Sequence, residues 1–84
     1  MSKYEKLIGR ILSGKSDVNI NFQELCNLLK YFQFSVRIKG SHHIFYRDDI
    51  EEIINLQPKG HVVKPYQVKQ IRELIVKYKL ERKQ

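Results

Sequence analysis

The chain has one cysteine, Cys26, in 84 residues. A single thiol excludes an internal disulfide and a cysteine zinc site, and a reducing cytoplasm is the expected compartment. Long apolar runs are also missing. In MSKYEKLIGRILSG the apolar residues come in short groups split by Glu5, Lys6 and Arg10. Neither a signal peptide nor a membrane span is expected there, and no membrane partner. No internal repeat or low-complexity tract occurs. Acidic groups are scarce, nine against sixteen basic ones, which leaves a formal net charge of +7.

What is present fits one folded unit. With 42% hydrophobic and 30% charged residues the composition is globular. Residues 1–84 are expected to form a single domain with a modest core, which a partner or self-association could supplement. The charge is unevenly spread. Arg37, Lys39 and Arg47 stand uncompensated in residues 34–47, DDIEE at 48–52 is acidic, and residues 53–84 carry eight basic groups against two acidic. A basic field attracts polyanions, nucleic acid first. Many small basic proteins bind nothing specific, so charge alone leaves the partner open.

Helical spacing appears at both ends. Tyr4, Leu7, Ile8, Ile11 and Leu12 make one face of a helix stopped by Ser13-Gly14. The polar loop KSDVN follows, so residues 1–20 could be an appendage to a main unit at 21–80. Asn21 is placed as an N-cap with Glu24 in the reciprocal capping position, and Ile20 and Leu25 can form a hydrophobic staple. Phe22, Leu25, Cys26, Leu28, Leu29 and Phe32 give the second helix a wide apolar face, with Cys26 as a small buried hydrophobe. Pro65 suits the first turn of a closing helix whose face is Val68, Ile71, Leu74, Ile75 and Tyr78. The tail ERKQ is expected to fray.

Between the helices the period changes to two. In FSVRIK the residues Phe34, Val36 and Ile38 alternate with Ser35, Arg37 and Lys39, the pattern of a half-buried strand. Gly40-Ser41 can make a two-residue hairpin turn into a second strand, HHIFYR. DDIEE is expected as a polar connection, IINLQ as a third strand and PKGHVV as a loop with a proline-led turn. The fold class is α+β: an α-α-β-β-β-α order, a three-stranded antiparallel sheet with helices on one face, and the other face open.

The turn fixes which way the adjacent histidines point. Lys39 pairs with His42, Ile38 with His43, Arg37 with Ile44 and Val36 with Phe45, and directly paired residues share a face. Val36, Ile38 and Phe45 then fall on the core side with His43. His42 falls on the open face with Ser35, Arg37 and Lys39, near Ile44 and Tyr46. Two histidines on opposite faces are poorly placed to chelate one ion, and His61 is alone in a loop, so no metal and no cofactor is expected. A phosphate could instead be held by Arg37, Lys39 and the backbone N–H groups of Gly40 and Ser41. An imidazole, with an ordinary pKa of about 6.5, suits proton transfer at neutral pH. The reaction that such a group could serve is RNA cleavage by attack of a 2′-hydroxyl on the adjacent phosphate. An exposed strand histidine is also often just a surface residue, and residue chemistry alone leaves the two readings open.

The segments VRIKGSHHIF and KPYQVKQIRELI, with a helix before and a short strand between, resemble the HicA toxins of bacterial and archaeal toxin–antitoxin systems over about residues 22–80. The most specific element is Gly40-Ser41-His42 with an aromatic, Phe45, three residues after the histidine. The resemblance implies a fold like the double-stranded-RNA-binding domain and a metal-free mRNA interferase activity with His42 as catalytic residue. It also implies a HicB antitoxin that covers the active site. Arg37, Lys39, Gly40 and Ser41, with Lys64 and Lys69 of the closing helix, are the expected RNA contacts. Two features depart from the family pattern. The helix in residues 1–20 is extra and could enlarge the core or make a homodimer. Gln57-Pro58 stands where many members carry a histidine, with His61 three residues later. The rival reading is a non-catalytic RNA-binding module using the same basic face and closing helix, although the lysine-lysine-x-alanine-lysine pattern of ordinary duplex binders is missing. A third is a subunit whose basic face docks on an acidic protein.

Overall fold

The computed structural model describes residues 3–82. The first helix, α1 (Lys3–Ser13), buries Leu7, Ile8 and Ile11. Gly14 follows at φ 71, the left-handed conformation that closes a helix. The next segment is not a free linker. Asp17–Asn19 winds into a 3-10 turn, and Asp17 takes both arms of the Arg72 guanidinium at 3.0 and 3.1 Å. The same Nη1 donates to the Ile11 carbonyl at 3.0 Å. The carboxylate raises the Arg72 pKa above its ordinary value. Arg72 stands on the last helix, α3 (Pro65–Tyr78), so the end of α1 is clamped to it. The appendage expected from the polar loop is therefore a packed element, with Ile11 inside the common core. Its apolar stripe is spent internally, which leaves Leu12 and the polar flank for any contact with a second copy.

Helix α2 (Phe22–Tyr31) begins at the predicted cap, where the Asn21 Oδ1 accepts from the Glu24 N–H at 2.9 Å. Ile20 and Leu25, the predicted staple, are both fully buried. The helix ends without glycine. Gln33 takes φ 70, its N–H reaches the Lys30 carbonyl, and the Phe34 N–H reaches the Leu29 carbonyl at 3.0 Å. That pair of bonds is a Schellman closure, sealed by the buried side chains of Leu29 and Phe34.

Strands β1 (Ser35–Lys39), β2 (His42–Arg47) and β3 (Ile50–Leu56) form an antiparallel sheet in the order β1-β2-β3. The first pairing has the predicted register, from Lys39 against His42 to Ser35 against Tyr46. Gly40 has φ 62 and Ser41 a negative φ, as a turn with glycine at its first central position requires. The third strand starts earlier than expected. Only Asp48 and Asp49 make the turn, and Ile50, Glu51 and Glu52 already belong to β3. Arg47 braces that turn, bonding Asp49 through Nε at 2.8 Å and the Phe32 carbonyl through Nη1 at 2.7 Å. Glu51 is exposed. Glu52, on the helix side, accepts from Lys77 Nζ at 2.7 Å and from the Tyr78 hydroxyl at 2.6 Å. Partners from α3 thus let an acidic segment extend a strand.

PKGHVV is likewise more regular than a loop. Pro58–Lys59 (β4) pairs with Val62–Val63 (β5) around Gly60 at φ 65. This small hairpin ties the entry of α2 to that of α3: the Phe22 N–H donates to the His61 carbonyl and the Val63 N–H to that of Ile20. Helix α3 starts at Pro65, as predicted, and ends at Lys79 in the left-handed conformation. Leu80, in a 3-10 turn spanning Leu80–Arg82, is buried. Residues 81–82 of the ERKQ tail continue the turn that starts at Leu80, while residues 83–84, also expected to fray, lie outside the described residues. The whole is an α+β fold in the expected α-α-β-β-β-α order. The helices cover one face of the sheet, where Phe45, Ile54 and Leu56 are fully buried.

Candidate active site on the open sheet face

Alternation and register decide what the uncovered face carries. On β1 it presents Ser35, Arg37 and Lys39, on β2 His42, Ile44 and Tyr46, and on β3 Glu51, Ile53 and Asn55. His42, Arg37 and Lys39 are all exposed and come together at the turn end of the β1–β2 hairpin, with His42 directly opposite Lys39. The face is less purely basic than the charge count suggests. Ile53 is 60% exposed, and the Arg37 guanidinium lies 6.0 Å from the centre of the Tyr46 ring. Among the described residues no group of three or more His, Cys, Asp or Glu could hold a metal ion, and no helix is long and apolar enough to cross a membrane.

The His42 ring is not isolated. Its Nδ1 lies 3.2 Å from Asn55 Oδ1. An amide oxygen only accepts, so this contact is a hydrogen bond in the tautomer that carries the proton on Nδ1, which leaves Nε2 as the ring's other nitrogen. Beside it, Gln57 Nε2 donates to Ser41 Oγ at 3.3 Å, joining the end of β3 to the glycine turn. His43, one residue on, does the reverse of His42. It is half-buried on the helix side, edge-on to the Phe22 ring at 5.0 Å, with Nδ1 3.4 Å from the Ser41 carbonyl. The two neighbouring histidines are thus split by the sheet.

The other sequence-derived residues do not all gather there. Lys64 occupies the N-cap position of α3, and Lys69 is exposed one turn further on. Both stand on the element that covers the far face of the sheet, away from Arg37, Lys39 and His42. His61 is exposed in the β4–β5 turn, where its carbonyl accepts from Phe22. Ile38, assigned to the core side, is on that side but 62% exposed, because β1 is an edge strand that overhangs α2. A cleft of about 150 Å³ opens beneath it, lined by Cys26, Lys30, Val36, His43 and Phe45. Burial pushes the Cys26 thiol up to about 11, against a smaller opposing pull from Lys30.

Asn55 was missed from the sequence, and so was its support. A two-residue turn makes Lys39 and His42 a hydrogen-bonded pair. Alternation then turns the backbone of Ile44 toward β1, so Asn55, opposite Ile44, sends its backbone groups to the outer edge of β3. There the Asn55 carbonyl accepts from Gln67 Nε2 at 2.8 Å. Gln67 is only 3% exposed. A polar residue within the apolar stripe of α3 is the signal that could have drawn attention to it.

A family model described as HicA toxin of bacterial toxin–antitoxin matches residues 22–78, from the first residue of α2 to the last of α3. Neither the curated proteins nor the solved structures give a match. The matched span contains the glycine turn, all three strands of the open face and His42, and α1 lies outside it. By that match the chain belongs to the HicA family of bacterial toxin–antitoxin toxins.

Proposed function

We propose that this HicA-family toxin is an endoribonuclease that cleaves mRNA with His42 as its base and without a metal ion. The observation that supports this best is the position of His42. It is exposed on the open sheet face, directly across from Lys39 and beside Arg37, with Nδ1 within 3.2 Å of Asn55 Oδ1. A phosphodiester lying over the Gly40-Ser41 turn would meet two cations and the turn amides, and its 2′-hydroxyl would face Nε2. The proton passes from the 2′-oxygen to Nε2, and the 2′-oxygen bonds to phosphorus. The phosphorus–5′-oxygen bond breaks, and the 5′-oxygen leaves as a hydroxyl with a proton from water. The products are a 2′,3′-cyclic phosphate and a 5′-hydroxyl end. Lys64 and Lys69 would hold strand segments running beyond the sheet edge, and a HicB-type antitoxin would silence the toxin by covering the open face.

The test is cleavage of a defined mRNA by purified protein with chelator present. His42→Ala should lower the rate by about 10² to 10⁴, the usual worth of positioned acid–base help, while RNA affinity and folding stay close to wild type. Arg37→Ala and Lys39→Ala should weaken binding and flatten its salt dependence. Equal cleavage by wild type and His42→Ala would remove the assignment. Binding without any cleavage by the wild type would favour the non-catalytic RNA-binding reading.

A further inference from the structure

Resting on the reading of His42 as the base, we propose that Asn55 is its positioning residue, holding the imidazole in the tautomer whose Nε2 faces RNA, with Gln67 fixing the backbone beneath. Three observations combine. The contact of 3.2 Å between His42 Nδ1 and Asn55 Oδ1 crosses from β2 to the neighbouring strand, so the sheet itself sets it. A ring held at Nδ1 presents Nε2 at a fixed angle, where a free surface histidine would rotate and exchange tautomers.

The second observation is the edge bond from Gln67 to the Asn55 carbonyl. Asn55 lies on the sheet's outermost strand, where no further strand pairs with its outer side. Without an edge partner this backbone would move, and the amide side chain with it. The third concerns what Gln67 forgoes. Its Oε1 is buried and has no hydrogen-bond partner among the described residues, a state that works against folding. An apolar residue at this point of the α3 stripe would avoid that cost. A buried amide kept at a loss in stability points to a role in placing Asn55.

The experiment reads the tautomer and the reaction separately, on the full chain. Nitrogen-15 NMR of the imidazoles above their titration range should show wild-type His42 protonated at Nδ1. Asn55→Ala should release the ring to a mixture dominated by Nε2–H. It should also lower kcat roughly 10- to 100-fold, the range for the outer-shell partners of metal-bound histidines, with KM little changed. Asn55→Asp keeps an acceptor at the same place. It should retain the Nδ1–H form and most of the rate, while the acid limb of the pH profile moves upward, because a carboxylate favours the charged ring. Wild-type His42 protonated at Nε2 would overturn the proposal whatever the cleavage data show. So would an Asn55→Ala variant that keeps the full rate. An Nδ1–H ring in a protein that cleaves equally well as His42→Ala would leave the hydrogen bond standing and sink the base assignment on which the positioning role rests.

Discussion

Replacing Ile11 by alanine tests whether α1 belongs to the fold or rides on it. Ile11 is fully buried, and its carbonyl is held by Arg72. The change removes three buried carbons, about 2.4 kcal/mol at ~0.8 kcal/mol each. The space left behind is walled by the clamped end of α1 and cannot fully collapse, so a cavity term brings the total to roughly 3–4 kcal/mol. In a domain of this size each kcal/mol moves Tm by about 4–8 °C, so the midpoint should fall by roughly 12–30 °C. Against a total stability of about 4–12 kcal/mol this is a large share. Leu12→Ala is the control. Leu12 is its chain neighbour but 36% exposed, and its loss should stay near 1 kcal/mol. The assay is urea and thermal unfolding followed by circular dichroism, with Ile11→Val as a milder step of about 0.5–1.5 kcal/mol. Equal, small losses at Ile11 and Leu12 would mean that α1 is not docked, and the clamp from Arg72 to Asp17 would then hold nothing.

Two further predictions concern the ends of elements. Lys77 and Tyr78 hold the Glu52 carboxylate down to about 2. Because the folded group is the more acidic one, this pairing stabilises fully above about pH 4.3 and is lost as pH falls toward its folded value. The Tm gap between wild type and Glu52→Gln should therefore be open at pH 7 and close between about pH 4 and 2; a gap that persists unchanged at pH 2 would refute it. Gln33→Gly should raise stability by up to about 1 kcal/mol, since a left-handed φ of 70 strains glutamine and not glycine. A lower melting temperature would show that the glutamine side chain stabilises the fold by more than its backbone conformation costs.

The parts that were legible in the sequence are those fixed by local rules. Asn21, the Gly40-Ser41 turn and Pro65 each act within four residues, and from the turn alone the register of β1 on β2 and the separation of His42 from His43 followed. Partners distant in sequence hid the rest. DDIEE gives no strand signal by itself; its last three residues join β3 because Arg47 braces Asp49 in the turn before them, and because Lys77 and Tyr78, twenty-five and twenty-six residues on, take up Glu52. The polar loop after α1 looked like a linker because Arg72 lies 55 residues from Asp17. Asn55 was recoverable in principle. Ile54 and Leu56 both face inward, so the residue between them must face the open side, beside His42. Lys64 and Lys69 were placed on the closing helix, and there they stand, Lys64 at its N-cap and Lys69 exposed one turn on.

The buried cysteine has a practical use. Cys26 is the chain's single thiol, buried on the inner face of α2 and held almost wholly in its unreactive form at neutral pH. A thiol reagent meets only a sliver of it at the floor of the cleft beneath Ile38 until the core opens, so the rise in modification rate is an intrinsic clock for opening, with no engineered label needed. The same clock should run slower with any partner that binds only the folded chain, by the factor that binding adds to the folded state. One reaction at one atom then weighs partners against each other without asking whether any of them is cleaved.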